Sequence, residues 1–436
     1  MKKLALFVLV AGLFSGAVLA QEYQEGIPWG NAYFRPSVEV VYTHSDNIFL
    51  IDETMGDRFD DNIWMIRPQV GLELPFKNSY FKVEAQYEYK DYDNYNLLHH
   101  STWFGRLDSQ FKFSNGSILT IKDHYIQGVQ QTNQFDPDME VVWNAAPFSR
   151  NLAQVGYEIP VSTLNSLTIH IAHNFVDFKS DQDSGKIPFY SYGQQIGGLT
   201  WKYNYQPLAS LVFEYEHTKS SPRTDNYLYA STDTYLLRRD YREDRISFGW
   251  EGDSKRRLSG FAKVGYKKMG FKENDMDDFK GLVADMGLAY KLAEFTEIRG
   301  DMFRHANQSA FNVNNYYTAT GGQLQLHHQF NRHLFGTVGG KYQVNDYPQV
   351  VQADADGDGW LDDIQLIYLQ GHRRNDEVMQ LLAELGYHFN SRISMRFNYV
   401  YENRDSNLKY VDHYGLFRKP YSYDENRLVF QIQMGW

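Results

Sequence analysis

Arg427-Leu428-Val429-Phe430-Gln431-Ile432-Gln433-Met434-Gly435-Trp436 decides the fold, because large apolar residues take every second place: Leu428, Phe430, Ile432, Met434 and Trp436. Between them stand Arg427, Val429, Gln431, Gln433 and Gly435, which are mostly polar or small. Period two means a strand with one apolar face. The same alternation recurs upstream in Ile393, Met395, Phe397, Tyr399 and Tyr401, in Leu282 to Tyr290, in Leu167 to Phe175 and in Phe81 to Tyr89.

A soluble sandwich also alternates, and three features decide against it. Strand segments of about ten residues, the length that crosses a bilayer, follow one another from Ala32 to the last residue without a helical pattern. The links alternate short and long, as periplasmic turns and extracellular loops do. The final aromatic within a strand resembles the signal read by the outer-membrane barrel assembly machinery. Trp64, Trp103, Trp201 and Trp250 lie in or at the ends of strands, as aromatic girdles require.

The reading is therefore all-β: a single antiparallel transmembrane β-barrel of about 18 strands. The expected spans are 32–43, 62–74, 80–91, 101–113, 118–128, 148–159, 166–177, 190–203, 210–219, 242–253, 258–269, 280–291, 296–305, 318–330, 334–344, 376–389, 392–404 and 424–436. The count falls to sixteen if a weak segment such as 118–128 or 148–159 is a loop.

Ahead of the barrel, Lys2-Lys3, the apolar run Leu4 to Leu13 and Val18-Leu19-Ala20 read as a Sec signal peptide over 1–20. Residues 21–31 are then a short periplasmic tail and 32–436 the barrel, too short a lead to hold an N-terminal plug. No later apolar run reaches the roughly 18 residues of a spanning helix. The absence of Cys excludes a disulfide framework, thiolate metal sites and a cysteine nucleophile. A net charge of -11 argues against nucleic acid as a partner. The mean hydropathy of -0.55 fits a barrel, in which only alternate residues meet lipid.

The row opposite the apolar one defines the expected pore lining. It brings Lys82, Glu84, Glu88, Lys90, Arg106 and Asp108 from the third and fourth strands. Glu297, Arg299 and Asp301 come from the thirteenth, with Arg392, Arg396, Glu402 and Arg404 near the C-terminus. Mixed charge selects polar solutes; alternatively these ions pair across strands and stiffen the wall.

Asp354-Ala355-Asp356-Gly357-Asp358-Gly359-Trp360-Leu361-Asp362 lies in the longest expected extracellular loop. Carboxylates at positions 1, 3, 5 and 9, Gly at 6 and the Trp360 carbonyl at 7 match the front of a calcium loop. Position 12 is Gln365 rather than Glu, which points to a short Asp-rich calcium repeat; the alternative is a solvated acidic loop. Asn314-Asn315-Tyr316-Tyr317 and Asn226 to Ala230 are candidates for stacking on sugar rings. HExxH, GxSxG and P-loop patterns are absent, and the reading is not an enzyme.

Phe34-Arg35-Pro36-Ser37-Val38-Glu39-Val40-Val41-Tyr42-Thr43-His44-Ser45-Asp46-Asn47-Ile48-Phe49 resembles the opening of the putative beta-barrel porin family of Gram-negative outer membranes. Members begin with a Pro-bearing strand followed by an Asp-Asn-hydrophobic step. The resemblance implies a conduit for secreted polysaccharide that works with periplasmic export proteins. The expectation is thus an outer-membrane pore for passive passage or export of polar solute. The alternative is a surface barrel whose long loops bind calcium, a ligand or a partner.

Overall fold

The computed structural model describes residues 26–129, 138, 147–178, 191–222, 240–272, 278–309, 315–350, 373–408, 410–411, 417–419 and 421–436. Eighteen long strands form the wall: β1 Ala32–Ser45, β2 Asp61–Phe76, β3 Ser79–Tyr92, β4 His100–Lys112, β5 Ile118–Val129, β6 Pro147–Pro160, β7 Asn165–Phe178, β8 Tyr192–Gln206 and β9 Ala209–Pro222. They continue as β10 Tyr241–Gly252, β11 Leu258–Phe271, β12 Phe279–Ala293, β13 Thr296–Gln308, β14 Tyr316–Gln329, β15 Leu334–Val350, β16 Arg373–His388, β17 Ile393–Ser406 and β18 Tyr423–Gly435. Each pairs antiparallel with its sequence neighbours. β18 then returns to β1, Ser37 opposite Gly435 through Ser45 opposite Arg427, and closes the sheet into a ring. Closure leaves no strand edge to face lipid. The two doubtful segments are both strands, paired from Ile118–Glu158 to Val129–Pro147, so the count is eighteen.

Differences from the sequence reading are at the ends. A three-residue strand, Ile27–Trp29, lies in the expected tail and turns back at Gly30, whose φ of 61° suits glycine, to pair with Ala32–Phe34. It covers the part of β1 that β18 does not reach. β15 runs on to Val350 and β16 begins at Arg373, longer than the expected spans because their ladder extends beyond the apolar alternation.

One end of the barrel has tight connections, such as Lys77-Asn78, Pro207-Leu208 and, at most, Asp253–Arg257; the other has the long ones. Directly paired residues share a face, so the outward rows can be followed around the ring. Leu282, Met302 and Leu324 are 63%, 60% and 61% exposed. An apolar belt of that extent belongs in lipid, not water. Aromatics flank it. Toward the long-loop end Trp64 lies edge-on to Tyr42 at 4.9 Å and Trp103 lies 4.7 Å from Tyr87. Toward the short-turn end Trp201 stacks on Tyr203, and Trp250 Nε1 donates to the Tyr205 hydroxyl at 3.1 Å.

Candidate functional site: the inner wall

Inward-facing residues alternate with the lipid belt, and among the described strand residues most of the ions are on this face. Lys82 pairs with Glu84 at 2.8 Å and Arg106 with Asp108 at 2.8 Å, the Arg106 side chain remaining 51% exposed. Arg299 pairs with Glu297 on its own strand, and Gln323 of β14 donates to Asp301. Further round, Lys263 reaches Glu214 at 2.8 Å and Glu251 at 3.2 Å, while Lys202 reaches Glu251 at 2.6 Å. The expected lining residues thus lie on the inner wall, with one exception. Arg392 is exposed in the turn between β16 and β17, where its backbone N–H donates to Asn390 Oδ1, because β17 starts one residue later than expected.

Toward the long-loop end, a ladder of buried ions runs across the closing seam. Glu88 accepts from Arg67 at 2.8 Å and pairs with Lys90 at 3.0 Å. Arg67 also contacts Glu39, which accepts from Gln431 across the seam. On the other side Glu402 accepts from Arg427 at 3.0 Å, Gln380 at 2.9 Å and the Tyr423 hydroxyl at 2.6 Å. Asp376 accepts from Arg374 Nη2 at 2.7 Å, from Arg404 Nη2 at 2.6 Å and from the Ser406 hydroxyl. Arg374 is also sandwiched between the rings of Tyr347 and Tyr421, at 4.5 and 4.1 Å. The stiffening role weighed against a pore-lining one is therefore present for Glu88, Lys90, Glu402 and Arg404, all within 2% of full burial.

Reading single strands missed the partners Arg67, Glu39, Asp376, Arg374 and Arg427. Parity marks each as inward, but only the register shows which charge meets which.

The first long loop clamps the seam from above. Asp46 accepts from the backbone and side-chain N–H groups of Asn426 at 2.7 and 2.8 Å. The Asn47 side chain donates to the carbonyls of Ile51 and Asp424, and Ile48 and Leu50 are buried. Phe49 packs edge-on against Phe59 and Tyr95. The Asp-Asn-hydrophobic step is thus a structural device that fastens the first loop to the last strand. Arg58 adds a bidentate contact to Asp424 at 2.7 and 2.5 Å. Burial alone would pull the Arg58 guanidinium's pKa down, but Asp424, with Glu53 and Asp46 nearby, raises it above its ordinary value.

One residue stands apart from the wall. Asp138 belongs to the connection between β5 and β6, yet it is bound half the circumference away. Its carboxylate lies 3.0 Å from His305 Nδ1 and accepts from Asn307, both on β13. Its backbone carbonyl accepts from Gln343 and, at 3.2 Å, from Asn345 on β15. His305 Nε2 is in turn 2.6 Å from Asp285. Eight residues lie between Asp138 and each flanking strand end, Val129 and Pro147. Eighteen tilted strands enclose a ring roughly 35 Å across, and Asp138 is held against its inner wall far from β5 and β6. No sequence signal announces it.

Tyr317, a candidate sugar platform, is fully buried on the inner face and stacks on Tyr347, so it is unavailable for that role. Tyr316 packs on Phe271 and Phe279. Asn226–Ala230 and the calcium candidates Asp354, Asp356, Asp358, Trp360 and Asp362 lie outside the described residues. Among the described residues no group of three metal-ligating side chains occurs.

No curated protein matches the chain. Among solved structures it is similar to Pseudomonas aeruginosa OpdO, at 10% identity over 93% of this chain and 98% of that one, with a TM-score of 0.46. It is similar also to Pseudomonas aeruginosa OccK1 (OpdK), at 10% identity, 93% and 99% coverage and a TM-score of 0.47. A mutant form of the ferric enterobactin receptor PfeA of Pseudomonas aeruginosa matches at 8% identity, 92% and 80% coverage and a TM-score of 0.45. Residues 223–415 match the model of the family described as Putative beta-barrel porin 2, so the resemblance read from Phe34–Phe49 is met by a different part of the chain, and the protein is a closed β-barrel similar to that family over those residues.

Proposed function

We propose that the barrel is a passive pore for polar, hydroxyl-rich solutes, with secreted polysaccharide as the cargo that fits its wall best. One observation carries this reading: the inner charges neutralise one another in short-range pairs, and amides stand between them. Gln69, Gln194, Gln323, Gln380 and Gln431 all hydrogen-bond within the wall, beside the Lys82–Glu84 and Arg106–Asp108 pairs. Paired charge sets up little net field along the axis, so it selects weakly between cations and anions. Donors and acceptors in close alternation suit the hydroxyls of a sugar chain. Asp138, held on the inner wall by His305, Asn307, Gln343 and Asn345, adds a further polar contact to that lining.

The test is a planar-bilayer recording with a salt gradient and added neutral oligosaccharide. The expected result is a channel of near-equal cation and anion permeability whose current the sugar reduces. Strong ion selectivity, or current indifferent to sugar, would refute the reading. Folded but silent barrels would favour an exporter that opens only with periplasmic export proteins.

A second reading, a surface barrel that binds a partner, is favoured by the crown. Leu97 is fully exposed on the short turn Asn96–Leu98, next to the Phe49–Phe59–Tyr95 cluster. Loss of partner binding on Leu97→Ser with conductance unchanged would support it.

A further inference from the structure

The outer wall carries a charge pattern that a pore does not need. Toward the long-loop ends of β9 to β13, the outward rows hold Lys219, Arg242, Lys268, Lys280 and Arg304, all exposed. Register sets Lys219 directly across from Arg242, and Lys268 directly across from Lys280. Like charges directly opposite one another destabilise a sheet. The carboxylate placed between the two pairs is Asp244, opposite Lys268, and it is already occupied by the Tyr215 hydroxyl at 2.8 Å and His217 at 2.9 Å. Lys280 reaches Asp278 at 3.3 Å and Arg304 donates to the Thr320 hydroxyl at 2.7 Å. Among the described residues, Lys219 and Arg242 have no ion-pair partner.

Elsewhere on the same outward rim the charged strand residues are acidic, Asp91, Asp177, Asp346, Glu377, Asp405 and Asp424, with Arg373 the exception among the described residues. In a chain of net charge -11, five of the outward-facing strand cations are gathered into one arc of five adjacent strands. Beneath this arc, on the same outward rows, lie Phe213, Phe248, Val264, Tyr266 and Leu282, each 42% to 63% exposed. Cations above, open apolar rows below: that is the order of groups along a phosphorylated lipid.

We propose that this arc seats a phosphorylated lipid of the outer leaflet. Its phosphates lie between the Lys219–Arg242 and Lys268–Lys280 pairs, and its acyl chains run down the apolar rows. The seat is on the outside of the barrel and is independent of what the lumen conducts. The apolar rows favour a lipid over a free anion, since they give a soluble phosphate nothing to bind.

The barrel in detergent micelles, titrated with diphosphorylated lipid A, tests the seat, with phosphatidylcholine and inorganic phosphate as comparison arms. Lipid A should raise the thermal unfolding midpoint of the wild type, and the other two should not. Lys219→Gln/Arg242→Gln and Lys268→Gln/Lys280→Gln should each weaken apparent lipid A affinity by about tenfold or more, the value of one lost charge-assisted contact. Without lipid their midpoints should be equal to wild type or higher, because the cross-strand repulsion is gone. Lipid A co-purifying with the protein, counted by mass spectrometry, should fall in both variants; this readout holds even if unfolding midpoints are hard to compare. Equal response of variants and wild type would overturn the proposal. So would an equal response to phosphatidylcholine, and inorganic phosphate reproducing the shift would reduce the arc to a simple anion site.

Discussion

Replacing Asp376 with Asn should cost this barrel about 3–5 kcal/mol. Asp376 is fully buried and neutralises two guanidiniums, Arg374 and Arg404, which are 3% and 1% exposed. Asn preserves volume and one acceptor, but it removes the carboxylate that both guanidiniums share and points an N–H toward donors. Solvent screening does not soften the loss at such burial, and truncating one partner of a buried pair leaves the other charge uncompensated. Roughly 4 kcal/mol corresponds to about a thousandfold in the unfolding equilibrium. The assay is urea unfolding of the barrel in lipid vesicles, followed by the fluorescence of its 8 Trp. A companion substitution, Arg404→Met, separates charge from packing. If uncompensated charge is the cause, Arg404→Met should be costly alone yet restore part of the stability in the Asp376→Asn background. A loss below about 0.5 kcal/mol, the usual effect of a surface change, would refute the reasoning. So would strict additivity of the two substitutions.

Asp138→Ala should release the transverse contact with His305, Asn307, Gln343 and Asn345; single-channel conductance should rise, and an unchanged conductance would place the narrowest point elsewhere. Gly386→Val should destabilise by about 1–3 kcal/mol through overpacking, because a Cβ there would fall 2.1 Å from the Phe335 ring on the paired strand. Phe335→Ala should relieve that strain, and failure of the rescue in denaturant titration would argue against this contact. For the Asp-rich segment, calorimetry should detect calcium at a dissociation constant of about 10⁻⁴–10⁻³ M; Asp356→Asn/Asp358→Asn should abolish it, and identical heats from both proteins would leave the segment a solvated acidic loop.

Period-two patterning made the strands legible nearly residue by residue. β5 was expected over 118–128 and spans Ile118–Val129; β13 was expected over 296–305 and spans Thr296–Gln308. The apolar row is dictated by lipid, so its signal is strong and local. Partners across strands carry no such signal. Arg67 stands between Ile66 and Pro68, and the β2–β3 ladder is interrupted there, with pairs at Ile66 and Gln69 but not between. Nothing in that string says that Arg67 will meet both Glu39 and Glu88. Asp376 and Arg374 are two residues apart on one strand, but the apolar alternation starts late enough to hide Arg374 from the expected span. Asp138 depends on which wall its connection reaches, a property of the closed ring. The outer cation arc needed five strands in register before scattered Lys and Arg became neighbours.

The seam between β1 and β18 joins residues almost four hundred positions apart with nine paired positions, against thirteen between β1 and β2. It is also where the polar cross-ties concentrate: Glu39 to Gln431, Ser45 to Glu425, Asp46 to Asn426 and Arg58 to Asp424. Every other ladder can form between chain neighbours as a growing hairpin, with little entropy lost to loop closure. The seam cannot exist until all eighteen strands are in place. Until then two long edges of unpaired N–H and C=O groups would have to be shielded from lipid. The last and most distant contact is therefore the one that decides whether the protein is in the membrane at all. Its short ladder makes it the natural place for the ring to be zipped shut, and its cross-ties make reopening slow. A single weakened tie there would show as a late-arrested, protease-sensitive insertion intermediate, while the same loss in any other ladder would leave a ring with one soft wall.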